Sequence, residues 1–484
     1  MSRVTDRSTD SAFERYRASR IVHWERVATD PAPRDLSDHY HERLGHLYRY
    51  LVPPGQSVIE IGCGTGDLLA ALEASRGLGV DFSPAMIAIA RERHPDLDFI
   101  CADAHEPGLD ETFDVVILSD LVNDLWDVQE VLERVRALCT PNTRLIINFQ
   151  NKLWQGPLSL VRRLGLANPV QLQNWLSAQD MRNLVGLSGF ETVTESSEIL
   201  LPVRIGWMSG FVNRIVVKLW PFQHAALTHF LVARPKPTPP DVAAVEPSVT
   251  VVVPARNEAG NIESVVARIP KMGSRTEVIF VEGNSTDDTF ATIERVIADH
   301  DGGDLKLLRQ PGVGKGDAVR HGFAHASGDI LMILDADMTV APEELPRFYR
   351  AIAGGVADLA NGVRLVYPME KEAMRFFNYL GNKAFGFLFS WLLRQPVKDT
   401  LCGTKVLTRE AYAVIAENRA YFGDFDPFGD FDLLFGAAKG NLKIVDLPIR
   451  YRERVYGATN IDRWRHGVLL ARMAAFAARR MRFV

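Results

Sequence analysis

The chain has 484 residues, a formal net charge of −5, 47% hydrophobic residues and 24% charged residues. Because this length exceeds a single ordinary hydrophobic core, we predict two domains of roughly 240 residues each. The slightly acidic balance gives no reason to expect a nucleic-acid partner. The four cysteines have neither metal-ligand spacing nor a disulfide framework, and the polar amino terminus has no secretory core, so we expect a cytoplasmic protein.

The first half of the chain predicts parallel strands joined by helices. Apolar β-branched runs alternate with glycine-containing turns and amphipathic stretches, which is the pattern of βαβ units. The strands are expected at residues 57–61, 78–80, 97–101, 115–118 and 144–148. We therefore predict an α/β domain over residues 1–232.

A glycine-rich loop follows the first predicted strand, in the sequence EIGCGTG from Glu60 to Gly66. Glycines let a backbone approach a ligand closely, and a helix that follows supplies unpaired N–H donors. Carboxylates end the next two strands at Asp81 and Asp103. A carboxylate about 20 residues beyond such a loop can hold ribose hydroxyls.

This ordered set resembles the class I S-adenosylmethionine-dependent methyltransferases, whose loop has the G-x-G-x-G spacing. The resemblance covers residues 54–150 and implies a Rossmann-like sheet that binds S-adenosylmethionine. It assigns cofactor contacts to Glu60, Gly62, Gly64, Gly66, Asp81, Asp103, Ala104 and Asp120.

In that resemblance, Glu60 and the loop glycines would meet the methionine end of the cofactor and Asp81 the ribose. Asp103 with Ala104 would meet the adenine, and Asp120 would border the methyl-acceptor pocket. No general base is identifiable from the sequence. A second hypothesis is that this domain is a non-catalytic module that binds the cofactor or a partner.

Residues 233–247, ARPKPTPPDVAAVEP, are rich in proline and small residues and predict a semi-rigid spacer. They separate the first domain from a second one at residues 248–484. There the α/β pattern returns, with strands expected at residues 250–253, 278–281, 305–308, 330–334 and 443–447.

An acidic pair follows the fourth of these strands, at Asp335 and Asp337 in MILDAD. Two carboxylates at i and i+2 beyond a buried strand can bind Mg²⁺ or Mn²⁺ together with a diphosphate. The strand also delivers them to the carboxyl end of the sheet, where α/β sheets bind ligands. The preceding loop places Lys315 between glycines, as a cation suited to a phosphate.

The second set resembles the family-two glycosyltransferases with a GT-A fold, over residues 248–456. The resemblance implies a UDP- or GDP-sugar donor whose base and ribose meet Pro254, Asn257, Glu258 and Glu282. Most members have aspartate where Glu282 stands. Asp335 and Asp337 would bind the metal and the donor diphosphate.

Within that family the chain is most similar to the polyprenyl-phosphate glycosyltransferases. Arg364 at a predicted strand end, Lys405 near Asp399, and Arg454 before a glycine turn could clamp an acceptor phosphate and the departing diphosphate. A lipid phosphomonoester, with a second pKa near roughly 6, needs no general base.

If the acceptor is instead a sugar hydroxyl, as in a polysaccharide glycosyltransferase, a carboxylate must take its proton. The segment FGDFDPFGDFDLLF offers candidates for that role, among which we favour Asp430 or Asp432. Which acceptor is used stays open at this point.

The longest apolar run, residues 384–393, is about half of the roughly 20 residues that span a bilayer. The aromatic-rich stretch 374–393 and the basic, apolar residues 464–484 could instead lie at a membrane surface. We therefore expect peripheral association with the inner face of a membrane.

Overall fold

The computed structural model describes residues 11–29, 38–163, 171, 173–237, 246–300, 304–364, 376–422, 429–451, 456 and 472–484. The chain divides into two compact units. The first comprises Met1–Lys236 with Phe483–Val484, and the second comprises Pro237–Arg482.

A seven-stranded mixed sheet forms the centre of the first unit. Its strands are β1 Ser57–Ile61, β2 Arg76–Asp81, β3 Asp98–Cys101, β4 Phe113–Ser119, β5 Cys139–Gln150, β6 Phe190–Ile199 and β7 Thr228–Pro235. Their order is β3-β2-β1-β4-β5-β7-β6, in which β7 alone runs antiparallel to both neighbours. The α/β prediction is confirmed, and β1 to β5 coincide with the predicted strands.

Both faces of this sheet are covered. Val58 and Ile117 belong to one buried cluster, while Ile59 and Val116 belong to the other, as the two-residue period of a strand requires. The helices are α1 Ser11–Thr29, α2 Asp38–Leu51, α3 Asp67–Ala70, α4 Pro84–Arg93, α5 Val128–Val135, α6 Gln155–Arg163, α7 Ala178–Leu187 and α8 Gly206–Arg214.

The predicted spacer, residues 233–247, overlaps the end of β7. Its first three residues complete β7, where Ala233 is buried and pairs with Leu145 on one side and Thr192 on the other. Pro235 is tolerated because it is the last residue of the strand. Most of the remaining spacer, residues 238–245, lies outside the described residues.

The second unit is built on another seven-stranded sheet. Its strands are β8 Val249–Ala255, β9 Thr276–Glu282, β10 Leu305–Arg309, β11 Ile330–Ile333, β12 Leu359–Val363, β13 Lys405–Thr408 and β14 Ile444–Pro448. The order is β10-β9-β8-β11-β13-β12-β14, with β13 antiparallel to both neighbours. This arrangement confirms the second α/β prediction, although β12 and β13 are not among the five strand ranges that it gave.

The helices of this unit are α9 Ile262–Arg268, α10 Thr289–Ala298, α11 Lys315–Ala324, α12 Leu345–Ala353, α13 Phe376–Leu393, α14 Arg409–Glu417, α15 Arg419–Phe422 and α16 Asp430–Lys439. Residues 472–482 are also helical, and Met473, Ala474, Ala477 and Met481 are buried in the core. Within the described ranges, no helix is both long enough and apolar enough to cross a bilayer.

Candidate active sites

A cleft opens at the carboxyl ends of β1, β2 and β3 in the first unit. Four of the predicted cofactor residues line it: Gly62, Asp81, Asp103 and Ala104. The structure thus brings together residues from three separate strand ends, as the parallel order requires. The other four predicted residues are not among those that line the cleft: Glu60, Gly64, Gly66 and Asp120.

Asp81 holds the glycine loop in place. Its Oδ2 accepts a hydrogen bond from the backbone N–H of Gly64 at 2.9 Å, and its Oδ1 accepts one from Ser83 at 2.9 Å. Burial raises the pKa of this carboxyl above its ordinary value. Because each carboxylate oxygen can accept two hydrogen bonds, Asp81 keeps acceptor capacity for ligand hydroxyls.

Glu60 lies beneath the loop rather than on the cleft wall. It is 2% exposed, and its Oε2 has no hydrogen-bond partner among the described residues. Burial raises the pKa of this carboxyl to about 8. Above it, Gly66 has a φ of 75°, and a Cβ there would lie 2.7 Å from the Phe99 ring. The loop therefore needs glycine at position 66 for both conformation and space.

Asp103 is fixed by a histidine two residues later. It accepts hydrogen bonds from His105 Nδ1 at 2.7 Å and from the His105 backbone at 2.9 Å. Nε2 of the same ring accepts from the Asp127 N–H at 3.3 Å, which assigns the ring proton to Nδ1. Burial would raise the pKa of Asp103, but His105 and Arg17 lower it below its ordinary value.

Helix α1 contributes cleft residues that the sequence analysis missed. Tyr16, Arg17 and Arg20 line the cleft, and Arg20 forms an ion pair with Asp124. Trp24 Nε1 also donates to Asp124, at 3.1 Å. The four-residue spacing of Tyr16, Arg20 and Trp24 is the sequence signal that indicates one helix face.

Asp120 ends β4 in a left-handed conformation, with a φ of 51°. Its carboxylate accepts hydrogen bonds from the Tyr40 hydroxyl at 2.9 Å and from Asn148 Nδ2 at 2.7 Å. Tyr48 in turn donates to the Asn148 amide oxygen at 2.6 Å. Burial raises the pKa of Asp120 above its ordinary value. The Asp120 carboxylate therefore accepts hydrogen bonds from neutral donors. Its position beside a methyl acceptor stays a prediction.

In the second unit, the loops after β8 and β9 meet through Ser285. The Ser285 hydroxyl accepts a hydrogen bond from the backbone N–H of Asn257 at 3.0 Å. The backbone N–H of Ser285 donates to Glu282 Oε1 at 2.6 Å. Glu258 is buried and accepts from Asn261 at 2.7 Å. Pro254 lies inside β8. Three of the four predicted nucleotide contacts thus sit at adjoining strand ends, and their ligand roles stay predictions.

An ion pair stands at the end of β11. Lys315 Nζ lies 2.5 Å from Asp335 Oδ1, and each side chain is 27% exposed. Burial would raise the pKa of Asp335, but Lys315 and more distant cations lower it. A Cβ at Gly403 would lie 2.1 Å from Asp335 Oδ2 and 2.2 Å from Lys315 Nζ. Backbone therefore packs directly against the pair.

The carboxylates fit a divalent metal that is shared with a ligand. Asp337 Oδ1 accepts hydrogen bonds from the Thr339 hydroxyl at 2.8 Å and from its N–H at 3.1 Å. Across the ranges that the structure covers, no three acidic, histidine or cysteine side chains are grouped as metal ligands. Mg²⁺ commonly uses one or two carboxylates and completes its shell with phosphate oxygens and water. Asp335 and Asp337 match that donor set.

The predicted acceptor-phosphate cations are less accessible than expected. Arg364 forms two hydrogen bonds to Asp399, at 2.7 and 2.8 Å. Lys405 is completely buried and donates to Asp430 at 2.9 Å and to the Cys402 carbonyl at 2.6 Å. The Lys405 ammonium is thus already bonded to protein oxygens, and its contact with an acceptor phosphate stays a prediction.

The two base candidates are also engaged by cations. Asp430 accepts the hydrogen bond from Lys405 Nζ, and Asp432 accepts one from Arg419 Nε at 2.9 Å. Both carboxylates belong to the first turn of the buried helix α16. Arg454 lies outside the described residues.

Comparison with known families matches both halves of the chain. A family model described as glycosyl transferase family 2 matches residues 250–413, and one described as a methyltransferase domain matches residues 36–195. An S-adenosylmethionine-dependent methyltransferase structure from Mesorhizobium loti has 20% identity and a TM-score of 0.32, covering 39% of this chain and 96% of that one. A likeness this distant carries no functional inference.

Two curated relatives match the second half. The dolichyl-phosphate hexose transferase of Haloferax volcanii is 30% identical over 225 residues, covering 46% of this chain and 90% of that protein. The dolichol-phosphate mannosyltransferase of Pyrococcus furiosus is 27% identical over 220 residues, covering 44% of this chain and 59% of that protein. The chain therefore spans little more than half the length of the second relative.

Proposed function

The chain belongs to glycosyl transferase family 2, and on that premise we propose that its second unit transfers a sugar from a UDP- or GDP-sugar to a polyprenyl phosphate or a related lipid-linked phosphate. Both relatives carry dolichyl or dolichol phosphate in their names, which supports this class of acceptor. The first unit is a methyltransferase domain, and we propose S-adenosylmethionine as its methyl donor.

The observation that carries the proposal is the Lys315–Asp335 pair at the carboxyl end of β11, 2.5 Å apart. It combines a cation for a diphosphate with a carboxylate for a divalent ion, and Asp337 follows two residues later. Both side chains keep part of their surface exposed. A site for a nucleoside diphosphate needs this combination of charges.

The hydrogen bonds that Asp430 and Asp432 already accept from cations favour a phosphate acceptor over a hydroxyl acceptor. A hydroxyl must lose its proton to a base as it attacks. The carboxylates proposed for that task, Asp430 and Asp432, accept hydrogen bonds from Lys405 and Arg419. These hydrogen bonds occupy part of the acceptor capacity of each carboxylate before any substrate binds.

In the proposed reaction, an oxygen of the acceptor phosphate forms a bond to the anomeric carbon as the bond from that carbon to the donor diphosphate breaks. The electron pair leaves on the nucleoside diphosphate. No proton transfer is needed, because a phosphomonoester with a second pKa near roughly 6 is largely dianionic at neutral pH. The Lys315 ammonium would stabilise the charge on the departing diphosphate.

Asp335 and Asp337 would hold Mg²⁺ or Mn²⁺, which when bound supplies further positive charge at the diphosphate. In the first unit, Asp81 would accept hydrogen bonds from ribose hydroxyls, and Asp103 would approach the adenine. We also propose that the protein works in the cytoplasm at the inner face of a membrane, where a lipid-linked acceptor is available.

The test uses the purified full-length protein with Mg²⁺, a short-chain polyprenyl phosphate and radiolabelled UDP- and GDP-sugars, with label counted in the organic phase. We expect metal-dependent transfer that is lost in Asp337→Ala. Asp304→Ala is the matched control, because this aspartate forms an exposed surface pair with Arg275. Label found only in a saccharide product would contradict the lipid-phosphate acceptor and favour a hydroxyl-directed glycosyltransferase.

The methyltransferase proposal needs a separate readout. Binding of S-adenosylmethionine that is weakened in Asp81→Asn would support the cofactor site. Formation of S-adenosylhomocysteine with a lipid or saccharide acceptor would establish turnover. Binding without turnover on any acceptor would favour the alternative, a non-catalytic cofactor-binding module.

A further inference from the structure

The segment between β6 and β7 of the first unit exposes large apolar side chains. Trp207 is 81% exposed and Trp220 is 79% exposed. These two lie among other exposed apolar residues on α8 and on the turn that follows it. We call this set the aromatic patch: Ile205, Trp207, Met208, Phe211, Leu219, Trp220 and Phe222.

The exposure of the aromatic patch is built into the fold, because α8 has its polarity reversed. Its buried residues are the polar Ser209 and Asn213, one turn apart. Asn213 accepts hydrogen bonds from the backbone N–H groups of Leu200 and Leu201, at 2.9 and 2.7 Å, and donates to the Leu201 carbonyl at 2.7 Å. The helix is therefore anchored by polar contacts while its apolar residues face outward.

The second half of the patch is anchored in a similar way. Asn151 Nδ2 donates to the carbonyls of His224 and Ala226, each at 2.9 Å. Trp154 Nε1 donates to the Ala225 carbonyl at 2.8 Å. These bonds fix the turn that carries Phe222, so its exposed ring is part of an ordered surface.

The charged residues in the stretch of sequence that carries the patch are all basic. Residues 199–240 contain no aspartate or glutamate. Within this stretch, Arg214 is exposed, and Arg204 is exposed in a surface pair with Glu42. Because Glu42 offsets the charge of Arg204, the exposed positive charge beside the patch is that of Arg214, whose Nε also donates to the Phe483 carbonyl. An apolar surface beside such a cation complements a bilayer with anionic headgroups.

In the described part of the C-terminal segment, residues 472–484, apolar side chains are used for packing. The C-terminal helix buries Met473, Ala474, Ala477 and Met481 in the core of that unit. The Arg482 guanidinium lies 5.0 Å from the Trp391 ring centroid. The apolar side of this helix is therefore covered by its own unit, whereas the aromatic patch is open.

We propose that the aromatic patch docks the protein onto an anionic bilayer, with Trp207 and Trp220 inserted at the headgroup level. Tryptophan suits this depth because its ring is apolar and its N–H can reach water or headgroups. The inference locates the membrane contact on the methyltransferase unit. It deepens the membrane location given under the proposed function, but it is argued from surface chemistry and is independent of the glycosyl acceptor.

The test measures co-sedimentation of the full-length protein with vesicles of phosphatidylcholine alone and of phosphatidylcholine with an equal part of phosphatidylglycerol. No donor sugar or polyprenyl phosphate is present, so failure of the glycosyl-transfer proposal cannot affect the result. We expect binding to the anionic vesicles and at least about a tenfold loss of partitioning in Trp207→Ser with Trp220→Ser. Arg214→Gln should reduce only the preference for anionic lipid.

Two further variants complete the test. Leu187→Ser is the matched control, because this residue of the same unit is 68% exposed and lies outside the patch. Phe387→Ser removes an exposed aromatic of the second unit. Wild-type protein that does not bind, or a double variant that binds normally, would overturn the proposal. So would a loss confined to Phe387→Ser, or a double variant that changes only self-association.

A soluble-acceptor assay separates this inference from the proposed function. If the double variant loses vesicle binding but still transfers sugar to a short-chain acceptor in solution, the patch serves docking alone, as proposed. If the variant loses its folded circular-dichroism spectrum, the single substitutions Trp207→Phe and Trp220→Phe replace it. These should shift partitioning by a smaller factor, and unchanged partitioning in both would overturn the proposal.

Discussion

The two units place carboxylates at the same kind of position, the carboxyl ends of parallel strands, but stabilise them differently. In the first unit, Asp81 and Asp120 accept hydrogen bonds from backbone N–H groups, a tyrosine and an asparagine, and Glu60 leaves one oxygen unpartnered. In the second unit, Asp335 and Asp399 face lysine and arginine. The pKa values follow: they are raised in the first group and lowered in the second.

This difference is informative about ligands. Beside the glycine loop, carboxylates that are held by neutral donors or left unpartnered suit a neutral or positively charged ligand, such as the sulfonium of the proposed methyl donor. The cations of the same cleft, Arg17 and Arg20, stand at Asp103 and Asp124. In the second unit, cations next to carboxylates suit a diphosphate with a divalent metal. The same fold class therefore surrounds its strand-end carboxylates with different partners in its two copies.

The strongest test of the comparison is removal of a cation in the second unit. Arg364→Met leaves the completely buried Asp399 carboxylate without its main partner. We expect the free energy of unfolding to fall by about 3–5 kcal/mol at neutral pH. The free energy of unfolding is measured by urea titration, with hydrogen exchange of amides in the second sheet as the signal. Arg275→Met removes one partner of an exposed ion pair and should lower the free energy of unfolding by less than about 1 kcal/mol. An equal loss of stability in Arg364→Met and Arg275→Met would contradict the importance of the buried pair.

The next prediction concerns chemistry rather than stability. Lys315→Met removes the cation beside Asp335, so the departing diphosphate loses a stabilising charge. We expect kcat for sugar transfer to fall by about 10²–10³-fold, measured with the organic-phase assay at saturating donor. Lys271→Met alters an exposed lysine and should leave kcat unchanged. A Lys315→Met enzyme with normal kcat would remove Lys315 from the proposed site.

The third expected effect is a gain rather than a loss of stability, and it concerns a carboxylate of the first unit. The pKa of Glu60 is raised from 4.5 to about 8, so its contribution to stability is fully present below about pH 4.5 and is lost as pH rises toward 8. Glu60→Gln should therefore gain stability relative to wild type as the pH rises from 5 to 8, and the rise in pKa from 4.5 to about 8 limits that gain to at most about 4–5 kcal/mol. Urea unfolding of cofactor-free protein checks it.

The control for this pH series is Glu73→Gln, which alters an exposed carboxylate of the same unit. Its stability difference from wild type should not change with pH. A Glu60→Gln difference that is also independent of pH would mean that the Glu60 carboxyl is ionised in the folded state.

The sequence predicts the parallel strands well because their apolar runs are unambiguous. It gives no range for β6 or β7 of the first unit, and in β6 the residues Glu191, Glu195 and Glu198 interrupt the pattern. The reason is tertiary: Glu198 is buried in an ion pair with Lys218, which is distant in sequence. The short strand β13 is missed for a similar reason, since it begins with the buried Lys405.

The candidate sites show the same division. Residues fixed by local motifs, such as Asp81 and Asp335, are located by the sequence. The contribution of α1 to the first cleft is missed, because its contacts with Asp103 and Asp124 join residues about a hundred positions apart. The pairing of Lys405 with Asp430 also depends on long-range packing, so the sequence alone places both at the site without showing that they bind each other.

The backbone at Gly403 has a kinetic consequence. Peptide atoms close one side of the Lys315–Asp335 pair, and solvent reaches the other. A diphosphate that binds this pair as proposed would therefore approach it from the exposed side. The nucleoside diphosphate product of the proposed reaction would occupy the position that the next donor needs, so its release would have to precede each new turnover and its accumulation would slow the reaction.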